Sequence, residues 1–547
     1  MTVDSFEDMK TRHWAGLTAT TLLLFLVSAF AFGARGVSAA GEQPPGPDRF
    51  AVITQDYTSY KWWLSDWEDN KVACTIKVDH DGLPNGDEIY IDCGKALYDK
   101  WLATKPCPQS ETDPKICVGY YLHFVKSEPA QRDVGVQLPL PVVWVTLEGC
   151  VPYKSTFRCN DLPTLVLTSE EPLEGELITS IAGRIDGKPF TCDPVCQVDL
   201  APTDEAGLNL EFWAYSSYGD SSDLFQARVR VVQSDDPADH FWYADVLSDR
   251  WRGVPLAGCS QTWDVFPPVG GTPDWLSTPQ RPEDLATSIS YEYLAANLIE
   301  QGAVDVSACG DGGLLGDGLA SPCGLEVARP AVNDWQNHFD NLIFSAAQDK
   351  GVPAQLLKNI FSRESQFWPG AITGHPEAGF GQMTENGADT TLLWNRSFFE
   401  QFCPSVLDDA ICRKGYAHLK SDQQEVLRSA LVSTVDAFCA DCPLGIDLDR
   451  ANNSVAVFAE TLLANCEQAG MVVDINYGSA PGESATYEDL WRFTLVNYNA
   501  GPGCLGLAVD ETSSMGEVLD WESVSSHLTP ACQGALDYVS DVSRSIP

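Results

Sequence analysis

Apolar positions early in the chain fall into short runs broken by turn residues; in the last third they recur three and four apart. "CTIKV" (74–78) and "IYIDC" (89–93) read as two strands around "DHDGLPNGDE", which predicts a hairpin with Cys74 and Cys93 bridged across it. Asp79, Asp81, Asn85, Asp87 and Glu88 in that loop raise calcium binding. The spacing of an EF-hand loop is absent, so a polar turn at Gly82 and Gly86 is the expectation. "YKWWLSDWED" (60–69) carries three tryptophans, read as aromatic core, with stacking on sugar rings as the rival. Residues 50–160 are thus expected to form a β-rich, cysteine-containing domain. Farther on, Trp335, Phe339, Leu342, Ile343 and Ala346 predict a helix over 332–351. Gly351 ends it, and Pro353 opens the next helix, whose inward face is Leu357, Ile360, Phe361 and Glu364.

Between these regions, "TLVLTS", "GELITSIAGRIDG" and "FQARVRVV" are strand-like, with Phe225, Ala227, Val229 and Val231 alternating inward. The pattern over 161–234 resembles an immunoglobulin-like sandwich, with Cys192 and Cys196 paired locally. Residues 235–330 read as a connector of loops with a helix over 282–302. Its "CGDGGLLGDGLASPCG" (309–324) lacks the lysine of a phosphate loop and reads as a turn tied by Cys309 and Cys323. Residues 331–547 are expected to form a mainly helical domain.

Composition adds a compartment. The formal net charge of -43 excludes nucleic acid as a partner and argues against docking on anionic lipid. Lys10 and Arg12 precede the apolar run 17–32, and small residues follow near Ala39 and Ala40. This reads as a signal peptide over 1–40, with an uncleaved signal anchor as the alternative and the only route to a membrane. "GEQPPGPDR" (41–49) is a linker. Export to an oxidising compartment makes disulfides the expected state of the 18 cysteines. That applies to Cys403, Cys412, Cys439 and Cys442, whose alternative is zinc, and to Cys466, Cys504 and Cys532 at the end of the chain. No metal or cofactor is expected.

Glu364 is the candidate for chemistry. It lies on an apolar helix face, at the helix C-terminus and just before Trp368-Pro369-Gly370. Burial and the negative end of the helix dipole both disfavour its charged form and raise its pKa. A carboxyl still protonated near neutral pH can protonate a glycosidic oxygen. The bland alternative is a glutamate paired with Arg363.

Three motifs extend this reading. Glu364-Ser365 is followed by Gly379-Phe380-Gly381-Gln382 and then by Asn497-Tyr498-Asn499-Ala500-Gly501. In this order they resemble the glutamate-serine, Gly-Leu-Met-Gln and Ala-Tyr-Asn-Ala-Gly motifs of the SLT, lysozyme-like lytic transglycosylases. The resemblance covers about 330–500. It departs at Gly381 and Asn497, where the family has a bulky residue and an alanine. A cysteine-rich insertion at about 390–450 lengthens the spacing between the second and third motifs. The resemblance implies a lysozyme-like domain that cleaves peptidoglycan glycan strands without a cofactor. Glu364 would be general acid and then base, Ser365 would hold substrate or the carboxylate's partner, and Gln382 would line the sugar groove. Tyr498 would hydrogen-bond near Glu364 and position it, while Asn499 and Gly501 would shape the turn. Only one carboxylate is needed, because the sugar's own C6 hydroxyl closes a 1,6-anhydro ring. A hydrolytic muramidase needs a second acid, for which Glu377, Glu385 and Asp389 are the local candidates. The reading from another class is a non-catalytic wall-binding or adhesion protein with a degenerate lysozyme-like domain.

Overall fold

The computed structural model describes residues 44, 46–106, 117–234, 236–254, 258–370 and 377–544. The expected signal segment (1–40) and most of the expected linker lie outside these residues. Antiparallel sheets fill residues 50–247, and a mainly helical region follows. Among the described residues no helix is long and apolar enough to cross a membrane.

Residues 46–140, with 171–177, form one unit. Its three-stranded sheet has the order β2-β1-β3, from β1 (Phe50–Asp66), β2 (Val72–Val78) and β3 (Tyr120–Gln137). Helix α1 (Gly86–Leu102) packs on it around Leu64, Ile76, Val78 and Ile89. The second strand of the expected hairpin is therefore helical. Asn85 and Glu88 explain this, because they cap the helix reciprocally instead of closing a turn. Asp87 and Glu88 in the first turn also suit the helix dipole. Cys74–Cys93 forms as expected, but it joins β2 to α1. Trp62 packs against the core, while Trp63 and Trp67 pair with His123 and Tyr121 of β3.

The second sheet runs from 142 to 247, wider than the expected 161–234. Its strands are β4 (Val142–Tyr153), β5 (Thr156–Glu170), β6 (Ile178–Ile185), β7 (Lys188–Cys192), β8 (Val195–Asp199), β9 (Leu208–Ser216), β10 (Phe225–Gln233) and β11 (Trp242–Leu247). The order is β4-β5-β11-β10-β9-β6-β7, with β8 on β5. The boundary expected at 160 falls inside β5, where the polar stretch "RCNDLP" hides a continuous strand. All eight strands belong to one hydrogen-bonded sheet, seven on a single path and β8 branching from β5, rather than to the two separate sheets of a sandwich. Val143, Leu165, Ile181, Phe212, Val229 and Ala244 nevertheless meet in one core, so the sheet curls round its inner face. Cys150–Cys159 and Cys192–Cys196 staple neighbouring strands.

The helical region is built round α9. The helices used below are α2 (Gly258–Trp263), α3 (Glu292–Glu300), α4 (Pro322–Gln336), α5 (Asp340–Lys350), α6 (Ala354–Ser365), α7 (Glu385–Trp394), α8 (Ser421–Val435), α9 (Leu448–Tyr477), α10 (Tyr487–Ala500), α11 (Pro502–Met515) and α12 (Gly534–Val542). Asp447 caps the start of α9 and left-handed Gly478 ends it. Buried Ala451, Ala459, Ala464, Ala469 and Gly470 let neighbouring elements approach closely. The expected helix over 332–351 is two helices, α4 and α5. Asn337 breaks it by exchanging two hydrogen bonds of 2.8 Å with the backbone of Thr287. The same contacts, with those of Gln336, hold 287–289 extended, so the helix expected over 282–302 is a 3-10 turn over Pro282–Leu285 followed by α3. The four insertion cysteines pair as Cys403–Cys412 and Cys439–Cys442. Cys309–Cys323 and Cys504–Cys532 also form, and Cys466 bonds Cys259. No described cysteine is free, which fits an oxidising, extracytoplasmic environment.

Candidate active site

Glu364 stands at the C-terminal end of α6, whose Leu357, Ile360 and Phe361 are fully buried. Two successive left-handed residues, Gln366 and Phe367, stop the helix. Such backbone is costly for non-glycine residues and persists where contacts fix it. Gln366 accepts from the Tyr293 amide at 2.9 Å, and the Trp335 indole donates to the Phe367 carbonyl at 2.8 Å. The end of α6 is therefore held by α3 and α4.

The carboxyl of Glu364 lines a cleft of about 720 Å³. Burial raises its pKa from 4.5 to about 7, and the negative charge of Glu377 adds to the rise. The Tyr538 hydroxyl and the Arg363 charge pull it back without cancelling the effect of burial. Arg363 is not its ion-pair partner: the guanidinium reaches Asp541 at 3.1 Å. Tyr538, on α12, is buried and interacts with this carboxyl, and its hydroxyl has no hydrogen bond of good geometry among the described residues. Tyr538→Phe is expected to move the basic limb of a pH–rate profile upward, because it removes a group that favours the charged carboxylate.

The second motif is a tight loop closed by paired backbone hydrogen bonds between Ala378 and Met383. Gln382 adopts a left-handed conformation, lines the cleft and donates to the Gly379 carbonyl at 2.9 Å. Glycine at 381 is explained by the third motif. A Cβ there would lie 2.4 Å from the Tyr498 hydroxyl and 2.5 Å from the Phe458 ring. Tyr498 instead donates to the Gly381 carbonyl at 2.7 Å. It thereby ties α10 to the loop, and it senses Glu364 through its charge. Gly381→Ala is expected to cost about 1–3 kcal/mol and to displace Tyr498, read as a lower denaturation midpoint together with lost activity.

No protein-family model, curated protein or solved structure matches the chain.

The structure thus brings Glu364, Gln382, Tyr498 and Asn499 to one cleft. Ser365 is not on its wall: it is buried, and its hydroxyl donates back to the Phe361 carbonyl at 3.2 Å. Of the three local acids, Glu377 and Asp389 line the cleft and Glu385 does not. Asp389 is held by the Tyr416 hydroxyl and by Arg428 at 3.1 Å. The sequence reading missed Tyr538, whose neighbours Ala535, Val539 and Val542 make it look like any core tyrosine. It also missed Thr461, Asn465 and Gln468 on the cleft wall. Their spacing of four and three places them on one face of α9 as a polar stripe among buried apolar residues, and that signal was there to read.

Proposed function

We propose that the protein is an exported lytic transglycosylase that cleaves the MurNAc–GlcNAc β-1,4 bonds of peptidoglycan, with Glu364 as its single acid/base. The observation that carries this is a carboxyl whose pKa burial raises to about 7, lining a cleft of about 720 Å³ together with Gln382 and Tyr498. In the protonated state Glu364 gives its proton to the glycosidic oxygen as the bond from that oxygen to the MurNAc C1 breaks. The C6 hydroxyl oxygen of the same sugar then bonds to C1, and its proton passes to the Glu364 carboxylate. The products are a 1,6-anhydromuramyl end and a free GlcNAc 4-hydroxyl, and the acid is restored. The helical region would be the lysozyme-like domain, and the curled sheet would take the spacer role expected of an immunoglobulin-like module.

A hydrolytic muramidase is the second reading, favoured by Glu377 and Asp389 on the same wall. Either could serve as the base or nucleophile that hydrolysis requires. The two readings separate on substitution. Release of soluble fragments from purified peptidoglycan should survive Glu377→Gln and Asp389→Asn if the transglycosylase reading is right. Loss with either substitution, the fold being intact, would favour the muramidase.

A further inference from the structure

We propose that Asn497 and Gln468 form an amide-reading pair that holds the 2-acetamido group of an amino sugar in the cleft. The inference rests on the reading of the cleft as a glycan site and adds a determinant of what it accepts. The motif resembled above has alanine where Asn497 stands, so the pair is not part of that motif.

The argument is one of donors and acceptors. Asn465 donates from Nδ2 to the Thr461 carbonyl at 2.8 Å, which fixes its amide and turns Oδ1 toward α10. Asn497 must therefore present its NH2 group, and it donates to Asn465 Oδ1 at 2.8 Å and to Gln468 Oε1 at 2.9 Å. Both protons of that group are used. Turning the Asn497 amide over would set oxygen against oxygen twice, so the assignment is internally determined. Two groups are left over. Asn497 Oδ1 is buried and accepts no hydrogen bond among the described residues, although the residue is only 3% exposed. The Gln468 NH2 group donates to nothing among the described residues, its oxygen being the partner of Asn497. Asn465, Gln468 and Asn497 all lie on the cleft wall with Glu364.

A buried acceptor without a donor is a cost the fold carries until a partner arrives. The groups left over on two hydrogen-bonded side chains of one cleft are one acceptor and one donor. A secondary amide supplies the complement, an N–H for Asn497 Oδ1 and a C=O for the Gln468 NH2 group. Each sugar of an N-acetylated strand carries one such group. A site whose polar groups are built for a given partner rejects an analogue lacking it, because those groups are then left unpaired.

The test uses the full-length chain carrying Glu364→Gln, titrated calorimetrically with chitotetraose and cellotetraose. Both are neutral, and they differ in bearing 2-acetamido or 2-hydroxyl groups. Chitotetraose should bind at least about tenfold tighter. Asn497→Ala should bring the two within about twofold, and Gln468→Met should remove much of the difference. Thermal unfolding checks each variant, and Gln468→Met decides if Asn497→Ala does not fold. Equal or undetectable binding of the two oligosaccharides would overturn the proposal, as would discrimination that survives both substitutions. A stem pentapeptide that displaces chitotetraose and itself loses affinity in Asn497→Ala would also overturn it, by making the peptide the amide that is read. Discrimination by a protein that releases nothing from peptidoglycan would leave the pair standing and sink the cleavage reading.

Discussion

Glu364→Gln should lower the release of glycan fragments by about 10²–10⁴-fold while making the protein more stable above neutral pH. Both effects come from one cause, a buried carboxyl near Tyr498 and Tyr538 whose charge is poorly solvated. Its folded pKa of about 7 lies above the ordinary 4.5, so the folded chain binds more protons between those values than the unfolded chain. The associated stability is fully present below pH 4.5 and is lost as pH rises through 7. At 1.36 kcal/mol per pH unit the full rise corresponds to about 3 kcal/mol, and solvent reaching part of the side chain reduces this to about 1–3 kcal/mol. Glutamine keeps the shape and carries no charge. The variant's advantage in urea should be near zero at pH 4 and should grow between pH 5 and 8. Activity of the unsubstituted chain should fall about tenfold per pH unit above 7, as the acid loses its proton. A flat stability difference across that range would mean the carboxyl is ordinary and the acid role misplaced.

Replacing Cys259 and Cys466 together with alanine should cost about 3–5 kcal/mol. Their disulfide closes a loop over 207 residues, the largest sequence separation among the eight disulfides between described cysteines. A long closed loop removes most from the entropy of the unfolded chain. The bond also seats α2 on α9. Beside it the Trp263 indole donates to the Cys466 carbonyl at 2.9 Å and meets Trp491 edge-on, with ring centroids 5.1 Å apart. The same helix α9 carries Asn465 and Gln468 to the cleft, so loosening it should weaken sugar binding as well as stability. Guanidinium unfolding of the oxidised double variant reads the first effect. A loss under about 1 kcal/mol would mean that packing of Trp263 alone holds the junction.

The legible parts of the molecule were those whose signal is local. The face Leu357, Ile360, Phe361 and Glu364 needed only helical spacing, and α6 presents it as expected. Gly351 does end α5 in a left-handed conformation. The alternation in "FQARVRVV" did mark β10. The failures came from competition at a distance. "IYIDC" has strand-like residues, but the cap formed by Asn85 and Glu88 and the surface offered by β1 and β2 made it a helix. The break between α4 and α5 rests on Thr287, fifty residues away from Asn337. In the cleft, Gly381 was visible as a departure but not its reason, because Tyr498 lies 117 residues farther on. Tyr538 carried no local sign at all, since its partner at Glu364 is reached only through the packing of α12 on α6.

The most direct test of the account is the mass of the new glycan ends made in water enriched in heavy oxygen. Purified peptidoglycan would be digested by the unsubstituted protein and, in parallel, by Glu364→Gln. The account predicts muramyl ends lighter by one water than reducing ends, with no heavy oxygen taken up, and no such ends from the variant. Reducing ends carrying the label would contradict it and identify a hydrolase that uses Glu377 or Asp389.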